Sequence, residues 1–198
     1  MDNLIKYFKR KKYCRMKELK EASFQTRDIA KLCQKEIIYK IKPGLYRLSD
    51  IKEVPGISSG IIDVCQAIPE GVICLISALD FYELTTFNPH EIYLAVPHEK
   101  KVSKIIYPPV KIFYFPERFY RPGINTIKTP YGSVKIYNRE KTICDMFRYR
   151  KKLGEDLALE GLKNYLTLEE ASMRKIREYS VICQVKTVIS PYVKAIVA

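Results

Sequence analysis

The chain has 198 residues, 47% of them apolar, and a formal net charge of +13. This composition predicts a folded protein with a packed core and excludes an intrinsically disordered chain. Its apolar runs are far shorter than the roughly 20 residues of a membrane span, and its lysine-interrupted start lacks the features of a secretory signal. We therefore expect a cytoplasmic protein without a membrane partner.

The six cysteines are scattered along the chain and form no CxxC motif. This pattern predicts reduced thiols, because a disulfide framework is typical of short secreted chains. The two histidines, His90 and His98, are not spaced with the cysteines as zinc ligands would be. We expect neither a metal nor a cofactor.

The positive charge is concentrated near the N-terminus. Residues 1–52 contain 15 Lys and Arg against 6 Asp and Glu, a net charge of +9, whereas residues 53–198 have a net charge of only +4. Such a surplus is typical of a surface that binds nucleic acid, although a solvated basic face would give the same count. The local pattern of helices and strands has to separate these two interpretations.

Three short helices are predicted in this basic segment. Apolar residues recur at helical spacing over Asp2–Lys11 and Met16–Ala22, and Thr26 is a suitable N-cap for a third helix. Only brief turns are expected between the three helices. The residues expected to face inward in the third helix are Ile29, Ala30, Leu32 and Cys33.

A β-hairpin is predicted directly after the third helix. The β-rich runs Ile37–Ile41 and Leu45–Leu48 flank the turn signal Pro43-Gly44. Three helices followed by a hairpin is the order of a winged helix-turn-helix, in which the third helix enters the major groove and the hairpin lies along the phosphates. Residues 1–52 are therefore predicted to form a DNA-binding domain.

The candidate DNA contacts follow from this arrangement. Arg27 is the best candidate for a base contact, because its guanidinium matches the paired acceptors of guanine. The alternative is that these side chains are only the solvated face of a small helical domain. The complete set of candidates is Arg15, Lys17, Gln25, Thr26, Arg27, Lys31, Lys35, Lys40, Lys42 and Arg47.

Residues 53–198 are predicted to form a second, mixed α/β domain. After the turn-rich link DIKEVPGISSG, Ser58 or Ser59 can cap a helix that ends near Pro69, and a second helix is expected over Leu75–Leu84. Four β-rich segments predict a mostly antiparallel sheet. These segments are Glu91–Val96, Val110–Phe115, Ile124–Thr129 and Ser133–Tyr137.

Helices are predicted to complete the chain, so the expected fold class is α+β. Asn138 can cap a helix over Arg139–Arg150, and a second helix is expected over Asp156–Tyr165. A capping-box pattern at Thr167 predicts a third helix that runs to about Tyr179. The last 19 residues suit either a strand or a helix kinked near Pro191, and the helix is favoured.

The sequence gives no support for catalysis, and we expect a protein that is not an enzyme and has no catalytic residues. Metal-dependent phosphoryl transfer needs closely placed carboxylates, whereas Glu140 and Asp145 are separated by five positions and do not share a helix face. Asp145 interrupts an apolar face, so we expect a buried acid paired with an arginine such as Arg148 or Arg174. His90 and His98 are interpreted as loop residues.

One aromatic segment, KIFYFPERFYRPG, carries a second interpretation. It interleaves aromatic residues with Lys111, Arg118 and Arg121, a mixture that suits single-stranded nucleic acid. Packing of an edge strand explains the same pattern and is preferred.

Several longer segments form a recognisable combination, namely KIKPGLYRL in the hairpin, GVICLISALDFYELT with HEIYLAVP, and REKTICDMFRYRKKLGEDLALEGLKNYL. These segments resemble the AbiEi-type antitoxins, the regulators of bacterial AbiE abortive-infection toxin–antitoxin systems. They occur in the family's order from about Arg15 to Leu166. The resemblance implies a repressor of its own operon, with double-stranded promoter DNA as its partner. It also implies a functional link to a nucleotidyltransferase-like toxin, which the antitoxin opposes without needing to bind it.

The sequence thus predicts a sequence-specific DNA-binding protein with domains at residues 1–52 and 53–198, and the resemblance implies that it is an autoregulating repressor and a phage-defence antitoxin. The alternative is an RNA-binding or nucleotide-processing protein whose C-terminal domain is the active part.

Overall fold

The computed structural model describes residues 1–52 and 54–197 and shows an α+β protein. Glu53 and Ala198, the two ends of the predicted second domain, lie outside the described residues. We refer to residues 1–52 as the N-terminal segment and to residues 54–197 as the C-terminal segment.

The N-terminal segment contains three helices and a three-stranded sheet. Two strands were predicted, and the third, β1, is an addition that the sequence analysis missed because it is only three residues long. The antiparallel sheet has the order β1-β3-β2. The elements are α1 (Asp2–Lys11), β1 (Tyr13–Arg15), α2 (Met16–Glu21), α3 (Thr26–Gln34), β2 (Ile38–Lys42) and β3 (Leu45–Leu48).

An apolar cluster holds these elements together. Leu4 and Phe8 from α1 pack with Leu19 of α2 and with Ile29 and Leu32 of α3. All five side chains are at most 2% exposed, and burying each one contributes about 1.5–3 kcal/mol relative to leaving it in water. The helical spacing of apolar residues therefore predicted this small core correctly.

The prediction that Ala30 faces inward is wrong. Ala30 is exposed and Cys33 is only half-buried, whereas Ile29 and Leu32 are fully buried. The helix is short, so a narrow stripe of two large side chains is enough to anchor it. Ala30 consequently belongs to the outer face of α3.

The C-terminal segment contains a five-stranded sheet with the order β6-β5-β4-β8-β7. The prediction of a mostly antiparallel sheet is wrong, because β5 pairs with β6 and β4 with β8 in parallel. The two-residue β4 lies at the centre of the sheet and was too short to recognise. The strands are β4 (Val72–Ile73), β5 (Ile92–Pro97), β6 (Val110–Phe115), β7 (Ile124–Thr129) and β8 (Gly132–Tyr137).

Seven helices are described in this segment. The predicted caps at Ser58 and Asn138 are confirmed, since their side chains accept backbone N–H groups three residues on. The expected helical tail is also confirmed, with Pro191 inside its last helix. The helices are α4 (Ser59–Ala67), α5 (Leu75–Phe81), α6 (Glu117–Tyr120), α7 (Arg139–Leu153), α8 (Glu155–Leu166), α9 (Met173–Ile182) and α10 (Lys186–Val197).

The prediction that a helix starts at Thr167 is wrong. The Thr167 hydroxyl instead donates backwards to the carbonyl of Asn164 at 2.8 Å, so it closes α8. Ser172 caps α9, accepting a hydrogen bond from the Lys175 amide at 3.3 Å. Thr167 and Ser172 can both serve as helix N-caps, and the local sequence does not show which of them begins a helix. Packing of the helix decides between them, which explains the error.

The two segments share an apolar cluster. Tyr13, Ile41 and Leu45 of the N-terminal sheet pack with Ile57 and Ile61 at the start of the C-terminal segment. The loop between β5 and β6 also reaches back, since the Ile106 amide donates to the Ile41 carbonyl at 2.9 Å. The hairpin is therefore docked on the C-terminal segment, although the sequence analysis treated it as a free wing.

Candidate nucleic-acid interface

Helix α3 presents a polar outer face. Ile29 and Leu32 pack into the apolar cluster and fix the inner side of the helix. A hydrogen bond from the Ile29 amide to the Gln25 carbonyl, at 3.2 Å, closes the first turn of the helix. With the inner side fixed, residues at other helical positions must point outward. The predicted contact residues of this helix are indeed all exposed, namely Gln25, Thr26, Arg27, Lys31 and Lys35.

Among the described residues, no carboxylate from another part of the chain pairs with the cations on this face. Arg27 is 78% exposed, and its only ion pair among the described residues is a loose one with Asp28 at 3.9 Å. Lys31 and Lys35 take part in none of the ion pairs found within residues 1–52 and 54–197. Arg27 and Lys31 on α3 and Lys35 at its C-cap recur every four residues, so they form a basic stripe along one side of the helix.

The exposed face contains two residues that the sequence analysis missed. Ala30 and Gln34 are exposed and lie three and seven positions after Arg27, which places them beside the basic stripe. Gln34 is a polar residue of the type that can hydrogen-bond a base edge. The helical spacing counted from Arg27 was the signal that could have found it.

Helix α2 precedes the stripe. Lys17 at its start is 88% exposed and only 4.0 Å from Glu21, an exposed pair worth little. Four residues separate α2 from α3, and one of them, Ser23, has a positive φ of 62°. The connection is short, and Leu19 of α2 packs in the same apolar cluster as Ile29 and Leu32 of α3.

Three of the four remaining predicted contacts have partners inside the protein. Arg15 donates to the carbonyl of Gln66 at 3.5 Å, and Lys42 donates to the carbonyl of Ala67. Both carbonyls lie at the C-terminal end of α4, where the helix dipole favours cations. Of the three hairpin cations, Lys40 alone is fully exposed, because Lys42 is half-buried and Arg47 is 12% exposed and 3.5 Å from Asp63.

Asp63 connects the two segments through a buried polar group. It accepts a hydrogen bond from the Tyr13 hydroxyl at 2.5 Å in addition to its ion pair with Arg47. Burial raises the pKa of Asp63, whereas Tyr13 and Arg47 act in the opposite direction. Burial, together with the bond to Asp63, raises the pKa of Tyr13 well above its ordinary value. These groups form a polar lock beneath the hairpin.

The structure thus divides the predicted contacts into two sets. The free set projects into solvent, mostly from α3, and the engaged set fastens the N-terminal segment to α4. The free set comprises Lys17, Gln25, Thr26, Arg27, Lys31, Lys35 and Lys40, and the engaged set comprises Arg15, Lys42 and Arg47.

Asp145 lies in the core of the C-terminal segment, as expected for a structural acid. The prediction of an arginine partner is wrong, because its ion pair is with Lys141 one turn earlier in α7, and Arg174 instead lies 3.8 Å from Glu178. The Cys183 thiol also donates to Asp145 at 3.4 Å. Burial raises the pKa of Asp145, and neither it nor Lys141 has any exposed surface.

Three of the five aromatic side chains in the segment KIFYFPERFYRPG face inward. Phe113, Phe115 and Phe119 are at most 4% exposed, whereas Tyr114 is 46% exposed. The Arg148 guanidinium covers the ring of Phe119 at 3.4 Å. These contacts favour packing of an edge strand over a row of bases stacked on this segment.

Neither a metal cluster nor a membrane-spanning helix is found among the described residues. Within the described ranges, no three His, Cys, Asp or Glu side chains cluster so as to hold a metal ion. No helix in the part of the chain described here is long and apolar enough to cross a lipid bilayer. No protein-family model and no curated protein sequence matches the chain.

Proposed function

We propose that the chain is a sequence-specific DNA-binding transcriptional regulator. The observation that carries the proposal is the exposed basic stripe of Arg27, Lys31 and Lys35 on α3. A helix with one buried side and a free basic side fits the major groove, where it can reach both phosphates and base edges.

The order of elements in the N-terminal segment supports this proposal. The helices α2 and α3, joined by a short turn and followed by a hairpin, have the connectivity of a winged helix-turn-helix. In this proposal α3 is the recognition helix. Arg27 and Gln34 contact bases, and Lys17, Lys31, Lys35 and Lys40 contact phosphates.

The engaged cations have a different part in the proposal. Arg15 and Lys42 already bond to carbonyls of α4, and Arg47 is paired with Asp63. We therefore assign them to holding the N-terminal segment in place, and Lys40 is the hairpin cation that remains exposed for a phosphate contact. This narrows the DNA surface that charge alone predicted.

A double charge reversal tests the DNA surface. Lys31→Glu with Lys35→Glu, in the full chain, should weaken binding to the DNA upstream of its own gene at least tenfold, measured by fluorescence anisotropy at fixed salt. The matched control is Lys151→Glu with Lys163→Glu, two exposed lysines of the C-terminal segment. The control has the same net charge and should change the affinity less than twofold.

Two results would contradict the proposed DNA surface or its sequence specificity. Equal losses in both double variants would mean that only the net charge matters, and the recognition-helix assignment would be abandoned. Binding by the wild type that does not distinguish the upstream DNA from a scrambled sequence would overturn sequence specificity.

The resemblance to AbiEi-type antitoxins extends the proposal to autoregulation and protection from a co-encoded toxin. Its test is rescue of cells that express the nucleotidyltransferase-like reading frame adjacent to the gene. Rescue by the Lys31→Glu, Lys35→Glu variant would place protection outside the DNA-binding surface. Failure of the wild-type chain to rescue would refute the antitoxin part and leave the DNA-binding part standing.

A further inference from the structure

A cleft of about 260 Å³ opens where the two segments meet. One wall comes from Arg15 and Lys42 of the N-terminal segment, and the floor is formed by the chain that leaves α4, Ala67–Glu70. The opposite wall is the start of the loop between β5 and β6, Lys100–Ser103. Four separate parts of the sequence therefore converge on one small volume.

Positive charge is in excess around this cleft. Four cations line it, namely Arg15, Lys42, Lys100 and Lys101, whereas Glu70 is the one acidic residue among the lining residues described. Lys100 donates to Glu70 at 2.7 Å, and this contact lowers the pKa of Glu70. The other three cations have no carboxylate partner among the described residues.

Main-chain carbonyls balance part of this charge. Arg15 and Lys42 donate to the carbonyls of Gln66 and Ala67, and Lys135 donates to that of Pro69 at 2.9 Å. The partial negative charge at a helix C-terminus amounts to only about half an elementary charge. Burial lowers the pKa of Lys42 and the nearby Arg15 lowers it further, whereas Glu70 acts in the opposite direction with a smaller effect. The repulsion between these cations is therefore not fully offset by the protein itself.

An anion in the cleft would remove this repulsion. Arg15 offers a planar fork of donors, Lys42 and Lys101 offer ammonium groups, and Ser103 adds a hydroxyl. Donors on opposite walls of the cleft can contact different oxygens of a tetrahedral, multiply charged phosphate group. The volume is several times that of one water molecule, about 30 Å³, and leaves room for the atoms esterified to the phosphate.

We propose that the junction cleft is a phosphate-binding site formed by Arg15, Lys42, Lys101 and Ser103. Its ligand is a phosphate group, supplied either by a nucleic-acid backbone or by a free phosphate ester. Because the donors belong to both segments, a bound phosphate also ties the N-terminal segment to the C-terminal one.

Titration with inorganic phosphate tests the site. Phosphate is added at constant ionic strength against chloride while amide resonances are followed by NMR, and saturable shifts are expected at Arg15, Lys101 and Ser103. Lys101→Glu should weaken the apparent affinity at least tenfold. Lys104→Glu is the matched control, since Lys104 is exposed in the same loop but does not line the cleft, and it should change the affinity less than twofold.

Two results would overturn the proposal. One is a set of shifts that do not saturate or that chloride reproduces, and the other is equal weakening by Lys101→Glu and Lys104→Glu. Both substitutions affect exposed side chains, so melting curves in chloride should match the wild type. Lys101→Gln, which removes the charge without reversing it, provides a milder second variant and should still weaken phosphate binding.

A DNA arm identifies the source of the phosphate. If the cleft holds a backbone phosphate, Lys101→Glu should lower the slope of log affinity against log salt for duplex DNA by about one. If phosphate binding is lost but the DNA slope is unchanged, the ligand is a free phosphate ester. The Lys31→Glu, Lys35→Glu variant should bind inorganic phosphate normally, so failure of the DNA-binding proposal and failure of the cleft are distinguishable.

Discussion

Helix α3 and the β2–β3 hairpin are both basic in sequence, yet their cations have different environments. The cations of α3 point into solvent, whereas Lys42 and Arg47 of the hairpin have partners on α4. Both regions had been predicted to contact DNA. The difference teaches that a count of charges locates a basic segment, while the neighbouring elements decide which charges remain free to bind a partner.

The largest expected effect comes from removing the acid beneath the hairpin. Asp63→Ala leaves Arg47 buried without its partner and the Tyr13 hydroxyl without its acceptor. Loss of one member of a buried pair costs about 3–5 kcal/mol, and the free energy of unfolding in urea should fall by that amount. Asp50→Ala removes an exposed acid and should stay within about 0.5 kcal/mol. Equal effects would contradict the docked hairpin.

A smaller loss is expected from the hydroxyl that bonds to Asp63. Tyr13→Phe keeps the ring and removes one hydrogen bond to a charged acceptor, which is worth about 1.5–3 kcal/mol. Tyr39→Phe is the control, because Tyr39 lies in the same three-stranded sheet and is exposed. Urea unfolding of both variants measures the difference. A Tyr13→Phe protein as stable as Tyr39→Phe would show that the lock contributes nothing.

In contrast to substitutions beneath the hairpin, a substitution on the outer face of α3 should weaken DNA recognition without lowering the stability of the protein. Arg27→Ala should reduce discrimination between the preferred and a mutated DNA site by about 1–3 kcal/mol, and unfolding should change by less than about 0.5 kcal/mol. Arg174→Ala is the matched control, because the Arg174 side chain is 82% exposed and lies 3.8 Å from Glu178. Competition anisotropy with both variants measures the discrimination. A loss of stability in Arg27→Ala would place this arginine with the engaged set.

The smallest effect concerns the tip of the hairpin. Gly44 has φ of +77°, and an added Cβ would meet only Met16 at 3.8 Å, so the cost of Gly44→Ala is conformational and amounts to about 1 kcal/mol. Gly44→Asn should lose less, because asparagine tolerates this conformation better. Thermal unfolding of the two variants ranks them. The reverse order would mean that contacts of the tip, and not its backbone, set the cost.

Much of the fold and part of the candidate site could be predicted from local sequence. The apolar spacing in α1 and α3, the caps at Ser58 and Asn138, and the Pro43-Gly44 turn each act over a few residues, so their structural consequences can be inferred without knowing distant partners. The same spacing placed Arg27, Lys31 and Lys35 on one exposed face. Those parts of the prediction agree with the structure.

Only the tertiary structure decided the rest. The strands β1 and β4 exist because longer strands pair with them, and two or three residues carry no periodicity that could reveal them. Arg47 meets Asp63 because the hairpin packs on α4. Asp145 has several cations near it in the sequence, and a linear pattern cannot show that Lys141 is its partner. The junction cleft joins residues as far apart as Arg15 and Ser103, because the sequence specifies which side chains are charged and folding determines which of them meet.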